Sequence, residues 1–288
     1  MPSVISKLYK LLRCLDCDTD LHYGDEHFLE CISCHKRYSC RNGKVFFRGG
    51  DWVENEGQEV DSIIFKVKNF LRKYPKIFEI VYYMVYPSTG KSSKEFIRML
   101  PLESVIVNIG AGVLALGDRV IDVDYMPYGN VSVVTDAHLL PFKTNSVDAV
   151  ISDALLEHVK DPVKVVKEIE RILKPGGYIY ILVPFIFSFH SSPDDYYRWT
   201  ASGLRELLKN FSKEEIGVRY GPTSAMTTLV REWLSILFSF GNVTFYQIWN
   251  LFFLALFTPL NWLDFLLSRY KFSSNIANGL YFVGISKK

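Results

Sequence analysis

The sequence predicts an α/β chain in three parts: a small cysteine-knuckle unit, a mostly parallel, doubly wound sheet, and a hydrophobic helical stretch ahead of the last strand. Three observations carry that expectation. All five cysteines fall within the first 40 residues. Between Ser104 and Val183, short apolar runs alternate with glycine-rich turns and one amphipathic helical pattern. Trp233 to Leu263 then runs for 31 positions without a charged residue. With 288 residues, 49% of them hydrophobic, the chain has ample apolar surface for a packed core, which excludes a mostly disordered protein. A net charge of +2, from 33 basic and 31 acidic residues, gives no general pull toward nucleic acid. Met1 to Leu12 lacks the apolar run of a secretory leader, so a cytoplasmic location with reduced thiols is expected.

The first part is 1–50. Cys14-Leu-Asp-Cys17 and Cys31-Ile-Ser-Cys34 are two C-x2-C pairs separated by thirteen residues. Two thiolates on one tight knuckle can bind the same ion, and two knuckles complete a tetrahedral zinc site with Zn–S distances of about 2.3 Å. So small a unit buries too little surface to fold alone, and the metal supplies the difference. Free thiols and two disulfides are the alternatives. Cys40 and His35 read as bystanders. From Cys14 to Phe47 the chain resembles the zinc ribbon fused to, or partnered with, methyltransferases. Leu21, Cys34-His-Lys-Arg-Tyr38 and Asn42-Gly43-Lys44-Val45 carry the likeness. Ser39 and Cys40 follow the tyrosine where the family has proline. A closed four-thiolate site has no open position, so this zinc is structural.

A helical linker is expected over 51–100. Asp51 to Gln58 reads as an acidic boundary loop. From Asp61 to Tyr86 apolar residues recur at helical spacing, and Pro75 divides them into two short helices. A further helix near Ser92 to Met99 ends before Pro101.

The third part is 101–288. Ser104 to Asn108 is a buried strand entering Ile109-Gly110-Ala111-Gly112, a turn where backbone can approach a ligand closely. Arg119 to Asp124 is a second strand ending in carboxylates. Val131 to Val134, before Asp136, and Val147 to Ile151 follow. Asp161-Pro162 opens a helix, with aspartate as its cap and proline in its first turn. Lys174-Pro-Gly-Gly177 stops it, and Tyr178 to Val183 is the next strand.

A lone G-x-G is weak, but an ordered set is specific. Asn108-Ile-Gly-Ala-Gly112, Asp136-Ala-His-Leu-Leu-Pro141-Phe142 with Val147-Asp148, Leu156-Glu-His-Val159 and Leu173-Lys-Pro-Gly-Gly177 occur in sequence. From about Ser104 to Phe211 the chain thus resembles a class I S-adenosylmethionine-dependent methyltransferase of the quinone- and sterol-methylating group. The resemblance implies a Rossmann-like seven-stranded sheet whose last, antiparallel strand is Leu280 to Ile285. It also implies that Asn108, Gly110, Ala111 and Gly112 line the methionine end of S-adenosylmethionine. Asp124, with Asp122 in reserve, would accept the ribose hydroxyls, and Asp136 with Ala137 would hold the adenine. For each aspartate a solvated loop charge or helix cap is the alternative. Asn108 stands where the family has an acid, and Leu114 where it has a third glycine. The short interval from Gly112 to Asp124 requires a truncated first helix.

Ligands in such sheets lie beyond the carboxyl ends of the strands. There Pro184 to Thr200 mixes apolar, aromatic and ionisable residues. His190 is a candidate general base, Arg198 a candidate anchor for an acidic acceptor, and Tyr196 and Tyr197 candidate pocket walls. The alternative is an architectural loop. The N-P-P-Y tetrad of amino-methylating enzymes is replaced by Ser152-Asp-Ala-Leu, which favours an oxygen or carbon acceptor. The insertion at about 222–275 reads as an interfacial hairpin against a membrane surface, as core or oligomer helices, or as one span. A single span would return the last strand on the wrong side.

The expected activity is therefore methyl transfer to the oxygen of a small or lipid-linked acceptor, at a membrane periphery or in a homo-oligomer. Two rivals stand beside it. One is an RNA methyltransferase holding substrate on Lys7, Lys10, Arg13, Lys36, Arg37, Arg41 and Arg48. The other is a catalytically inactive scaffold.

Overall fold

The computed structural model describes residues 8–25, 27–48, 63–190 and 194–288. Lys7 and the boundary loop Asp51 to Gln58 lie outside them. The ribbon is an antiparallel meander of β1 (Leu21–Asp25), β2 (Phe28–Cys31), β3 (Arg37–Arg41) and β4 (Lys44–Phe46). The sheet proper follows with β5 (Ile106–Ile109), β6 (Val120–Asp124), β7 (Val133–Val134), β8 (Val147–Asp153), β9 (Leu173–Pro184), β10 (Phe211–Tyr220) and β11 (Gly279–Ser286). Among the described residues the order is β1-β2-β3-β4-β7-β6-β5-β8-β9-β11-β10. Strands β7 to β9 pair in parallel, and β11 runs antiparallel to both β9 and β10. That is the expected doubly wound sheet with its reversed last strand, extended at one edge by the ribbon.

The ribbon joins through β4, which pairs in parallel with β7 at Val45↔Val133 and Phe46↔Val134. Lys44 Nζ donates to the carbonyls of Tyr128 (2.6 Å), Val131 (2.9 Å) and Gly129 (3.2 Å), holding the junction from the side. Leu12 bridges to Phe142, and Leu8, Leu29, Cys40 and Val45 share one buried cluster with Val133, Phe142 and Phe282. Apolar burial is thus continuous from ribbon to sheet, and neither needs a separate core.

Pro75 divides its segment into two helices, as expected, and starts the second. Helix α1 is Ile63–Arg72, and α2, Pro75–Val85, takes Pro75 in its first turn, where its missing N–H costs nothing. Helix α3 (Ser93–Met99) has a capping box, with Ser92 and Glu95 satisfying each other's N–H groups. No helix lies between β5 and β6, so the expected truncation is complete. Helix α4 (Pro162–Ile172) is capped by Asp161, whose carboxylate accepts from Lys164 N at 2.9 Å. Lys174-Pro-Gly-Gly177 does more than end it. Strand β9 begins at Leu173, paired with Val147, and these residues bulge out before pairing resumes at Ala149↔Tyr178. Gly176 takes φ +71°, and a Cβ on Gly177 would stand 2.9 Å from the Lys174 carbonyl, so both glycines are required. Helix α5 (Ala201–Leu207) leads into β10.

Between β10 and β11 lies a helical hairpin: α6 (Pro222–Ser239), α7 (Val243–Phe257), a 3-10 turn (Thr258–Leu263) and α8 (Asp264–Leu267). Tyr220 pairs with Gly279, so the insertion leaves and rejoins the sheet at one point. Its polarity is inverted. Ser224, Thr227, Ser235, Gln247, Asn250, Asn261 and Asp264 are buried, whereas Trp233, Ile236, Phe240, Phe245, Leu256 and Trp262 are exposed. The buried groups satisfy one another. Asp264 accepts from Thr223 N (2.7 Å), Ser224 N (2.9 Å) and Ser224 Oγ (2.7 Å). Asn261 meets Thr227 (2.6 Å) and the Val85 carbonyl (2.6 Å), and Asn250 donates to Glu232 (3.1 Å). The run Val243–Leu267, 25 residues, is long and apolar enough to cross a membrane by length and composition.

Candidate functional site

Three groups of residues follow from this frame. In the ribbon, the Sγ atoms of Cys14, Cys17, Cys31 and Cys34 lie within 4.8 Å of one another, with Cys14–Cys34 at 3.5 Å and Cys17–Cys31 at 3.4 Å. All four are free thiols, so the disulfide alternative is not realised. Four bonds of about 2.3 Å to a tetrahedral ion require sulfurs about 3.8 Å apart, close to this spacing. Donors converge on the sulfurs from outside. Thr19 Oγ1 lies 3.1 Å from Cys17 and 3.0 Å from Cys31, the Ser33 and Cys34 N–H groups each lie 3.4 Å from Cys31, and Tyr38 OH lies 3.2 Å from Cys14. Burial raises the Cys31 thiol, but these donors outweigh it and hold the group near 5. The Lys36 N–H lowers Cys34, yet burial and the three neighbouring sulfurs push it up to about 12. A divalent cation relieves that crowding, and the residues present fit zinc. His35 turns away to Glu30 at 3.2 Å, and Cys40 is buried outside the cluster. Thr19 and Tyr38 were not singled out by spacing, because a hydroxyl beside a sulfur leaves no periodic mark.

The second group surrounds the glycine turn. Gly110 (φ +75°) and Gly112 (φ +57°) occupy left-handed backbone. A Cβ on Gly110 would press Leu155 at 3.0 Å, whereas nothing lies within 4 Å of one on Gly112. The turn is open on that side. The Gly110 and Ala111 N–H groups donate back to Val123 O (2.9 and 3.1 Å). Asp124 Oδ2 accepts from Gly112 N and Oδ1 from Met126 N, each at 2.8 Å. Asp124 is only part-buried, at the end of β6 beside the open turn.

Asp122 is placed differently. It is 3% exposed and accepts from Asn108 Nδ2 (2.8 Å) and Asn130 Nδ2 (2.9 Å) inside the sheet. Burial raises its carboxyl. This accounts for Asn108, since an acid there would set a second carboxylate against buried Asp122, whereas an amide donates to it. Asn108 therefore faces Asp122 and not the open turn. Asp136 Oδ1 takes His138 N (2.8 Å) and ring Nδ1 (2.6 Å), its side chain is 53% exposed, and Ala137 packs on the core.

The third group follows β8 and β9. Glu157 is fully buried and neither of its oxygens accepts a hydrogen bond. Burial pushes its carboxyl up to about 8. His190 Nε2 stands 3.8 Å from Glu157 Oε1, and His158 Nε2 stands 3.9 Å from the same oxygen. Burial first, then neighbouring His158, draws His190 down to about 4, so near neutrality it offers a lone pair. Arg198 is occupied: it binds Asp195 with both Nη atoms and donates to the carbonyls of Phe187 (3.1 Å) and Ser188 (2.9 Å). Tyr196 OH donates to Asp194 (2.8 Å) and Tyr197 OH to the Lys160 carbonyl (2.9 Å). These three side chains hold the loop together. The Glu157-His158 pair had no role from sequence. Its signal was two adjacent ionisable residues just beyond a strand's carboxyl end.

The ribbon's basic residues are partly neutralised. Arg13 pairs with Asp18, Lys36 with Asp16 (3.3 Å) and Arg37 with Glu30 (2.8 Å). The Arg48 guanidinium lies 3.2 Å over the Tyr125 ring.

Residues 88–181 match the family described as methyltransferase domain. Among curated relatives, a ubiquinone/menaquinone biosynthesis C-methyltransferase of Cellvibrio japonicus is 28% identical over 142 residues, covering 41% of this chain and 56% of the relative. A demethylmenaquinone methyltransferase of Chlamydia pneumoniae is 24% identical over 157 residues, covering 46% and 66%. This chain thus spans about half to two thirds of the relatives' length. Among solved structures, Haemonchus contortus phosphoethanolamine N-methyltransferase 2 in complex with S-adenosyl-L-methionine aligns at TM-score 0.47 and 18% identity, covering 84% of this chain and 62% of that one.

Proposed function

From the class I methyltransferase domain that this chain carries over residues 88–181, we propose that the protein is an S-adenosylmethionine-dependent methyltransferase acting on an oxygen of a small, lipid-linked acceptor. One observation carries the reading. The open glycine turn follows β5, with Asp124 at the end of β6, and buried Glu157 with His158 follows β8, with His190 reaching them from beyond β9, so the two groups flank the point where strand order reverses. Crevices at that point are where such sheets bind ligands. When bound, S-adenosylmethionine supplies an electrophilic methyl on sulfur. Gly110 and Gly112 let backbone approach it, Asp124 accepts ribose hydroxyls, and Asp136 with Ala137 borders the adenine. Arg198 holds the Asp195 carboxylate, which accepts from the His190 backbone N–H and so fixes His190. Alignment of the acceptor supplies much of the rate.

The inverted hairpin supports the lipid-linked acceptor and a location at a cytoplasmic membrane surface. Trp233, Phe240 and Trp262 are exposed, whereas the polar groups turn inward. The ion pairs of Arg13, Lys36 and Arg37 weigh against RNA on the ribbon. The relatives' names raise carbon in place of oxygen as the methylated atom. Calorimetric titration with S-adenosylmethionine and S-adenosylhomocysteine tests the cofactor half. Micromolar binding lost in Asp124→Ala and Asp136→Ala is the expected result. No binding to a folded, zinc-replete protein overturns it in favour of the scaffold. Product analysis with phenolic and lipid-phenol acceptors then separates O- from C-methylation.

A further inference from the structure

We propose that Glu157, His158 and His190 form a second metal site, for a divalent first-row transition ion, on the acceptor side of the sheet. The ligand atoms of the three residues lie within 4.8 Å of one another. Both histidine Nε2 atoms face the same carboxylate oxygen, Glu157 Oε1, at 3.8 and 3.9 Å. Bonds of about 2.0–2.2 Å from a central ion to imidazole nitrogen and carboxylate oxygen produce separations of this order.

The carboxylate is the group that most needs a cation, and both imidazoles turn Nε2 toward it. Glu157 is fully buried with both oxygens unpaired, an arrangement that leaves a buried acceptor's desolvation uncompensated. His158 Nδ1 lies 2.6 Å from the Asp194 carbonyl, so it carries the proton and Nε2 carries the lone pair. Asp195 Oδ2 accepts from His190 N at 2.9 Å and lies 3.4 Å from His190 Nδ1, which makes no hydrogen bond. Asp195 is fully buried and fixed by Arg198. A carbonyl behind the imidazole, as at His158, is how metal-binding histidines are oriented, whereas His190 is tied to Asp195 through its backbone N–H. Arg198 and Asp195 are thus positioning residues for His190.

Two imidazoles and one carboxylate suit zinc, iron(II), cobalt(II) or manganese(II) better than calcium or magnesium. Three protein ligands leave a position open, unlike the closed thiolate site of the ribbon. That position takes an oxygen donor of the acceptor, such as a phenol or hydroxyl, and His190 then holds the cation in place of removing a proton. The metal site stands on its own geometry; its acceptor role rests on the methyl-transfer reading.

Cobalt(II) titration of the full-length protein, with elemental analysis after dialysis, tests it. The expected result is two equivalents, one with intense thiolate-to-cobalt absorption and one without. Glu157→Gln and His190→Gln should each lose only the second. A wild type that takes up one equivalent, all with the thiolate signature, overturns the site, as does a folded Glu157→Gln that keeps both. If Glu157→Gln fails to fold, the wild-type count and the part-exposed His190→Gln decide. S-adenosylhomocysteine binding read on the same samples separates the two claims: binding with one equivalent sinks only the metal site, and two equivalents without binding sink only the methyl-transfer reading.

Discussion

Removing the Asp264 carboxylate tests how the inverted hairpin is held. Asp264 is fully buried and accepts from the first two N–H groups of α6 and from the Ser224 hydroxyl, all within 2.9 Å. Asp264→Ala leaves these donors in an apolar surround. Hydrogen bonds to a charged group are each worth about 1.5–3 kcal/mol, and loss of a helix cap about 0.5–2 kcal/mol. The three bonds share one carboxylate, so their losses overlap, and the expected cost is about 3–5 kcal/mol. Gly221 supplies an independent check. Its backbone is extended, so alanine is unstrained there, but a Cβ would overlap the Asp264 carboxyl and stand 2.5 Å from Ser268 Oγ. Gly221→Ala must therefore push the carboxylate off the helix end, at about 2–3 kcal/mol. In an Asp264→Ala background that obstacle is gone and Ser268 can rotate, so Gly221→Ala should then cost under about 1 kcal/mol. Urea unfolding of the four proteins, with hydrogen exchange at the Thr223 and Ser224 amides, reads the cycle. Additivity within about 0.5 kcal/mol would refute the shared-carboxylate account.

Other outcomes follow from the same geometry. Gly110→Ala, at φ +75° and against Leu155, should destabilise the protein by about 1–2 kcal/mol and abolish S-adenosylhomocysteine binding; unchanged binding would remove the turn from the site. Trp233→Asp with Phe240→Asp, both on exposed positions, should leave the melting temperature nearly unchanged while ending co-sedimentation with anionic liposomes. Burial raises the Glu168 carboxyl, but Arg171 and the Leu140 N–H more than offset this and hold it below the usual 4.5. Its stabilisation is therefore present above about pH 4.5 and lost as pH falls through the depressed value. Glu168→Gln should flatten the acid side of the melting-temperature profile, and parallel profiles would show that the pair adds nothing.

The sheet was legible because its strands announce themselves locally. Apolar runs end at Gly110 and Asp124, another begins after Gly177, and an Asp-Pro cap opens α4. The thiolate cluster was legible for the same reason, since two knuckles encode a tetrahedron in their spacing. What joins the parts was not. Val45 and Val133 are far apart in sequence, and no local pattern says that two short strands will pair. In the hairpin, the sequence left an interfacial hairpin, core helices and a span as alternatives, and the polar Gln247, Asn250 and Asn261 within the apolar run did not choose among them. They are buried within the hairpin, and mean hydropathy does not distinguish the two faces of a helix. His190 was chosen as a lone base. Its contact with Glu157 and His158 comes from two loops that only the fold brings together.

The pairing of β4 with β7 also bears on solubility. The three inner strands β7, β6 and β5 would end at a bare parallel edge if the ribbon were absent, with unpaired N–H and C=O groups open to a strand from another molecule. The meander closes that edge and moves the free border outward to β1, a short, strongly bent strand with an irregular register between Tyr23 and Asp25. A metal held by the four cysteines would therefore guard against self-association. Chelation that unravels the ribbon should expose β7 just before Asp136, and the visible result should be aggregation that begins while the parallel sheet is still folded.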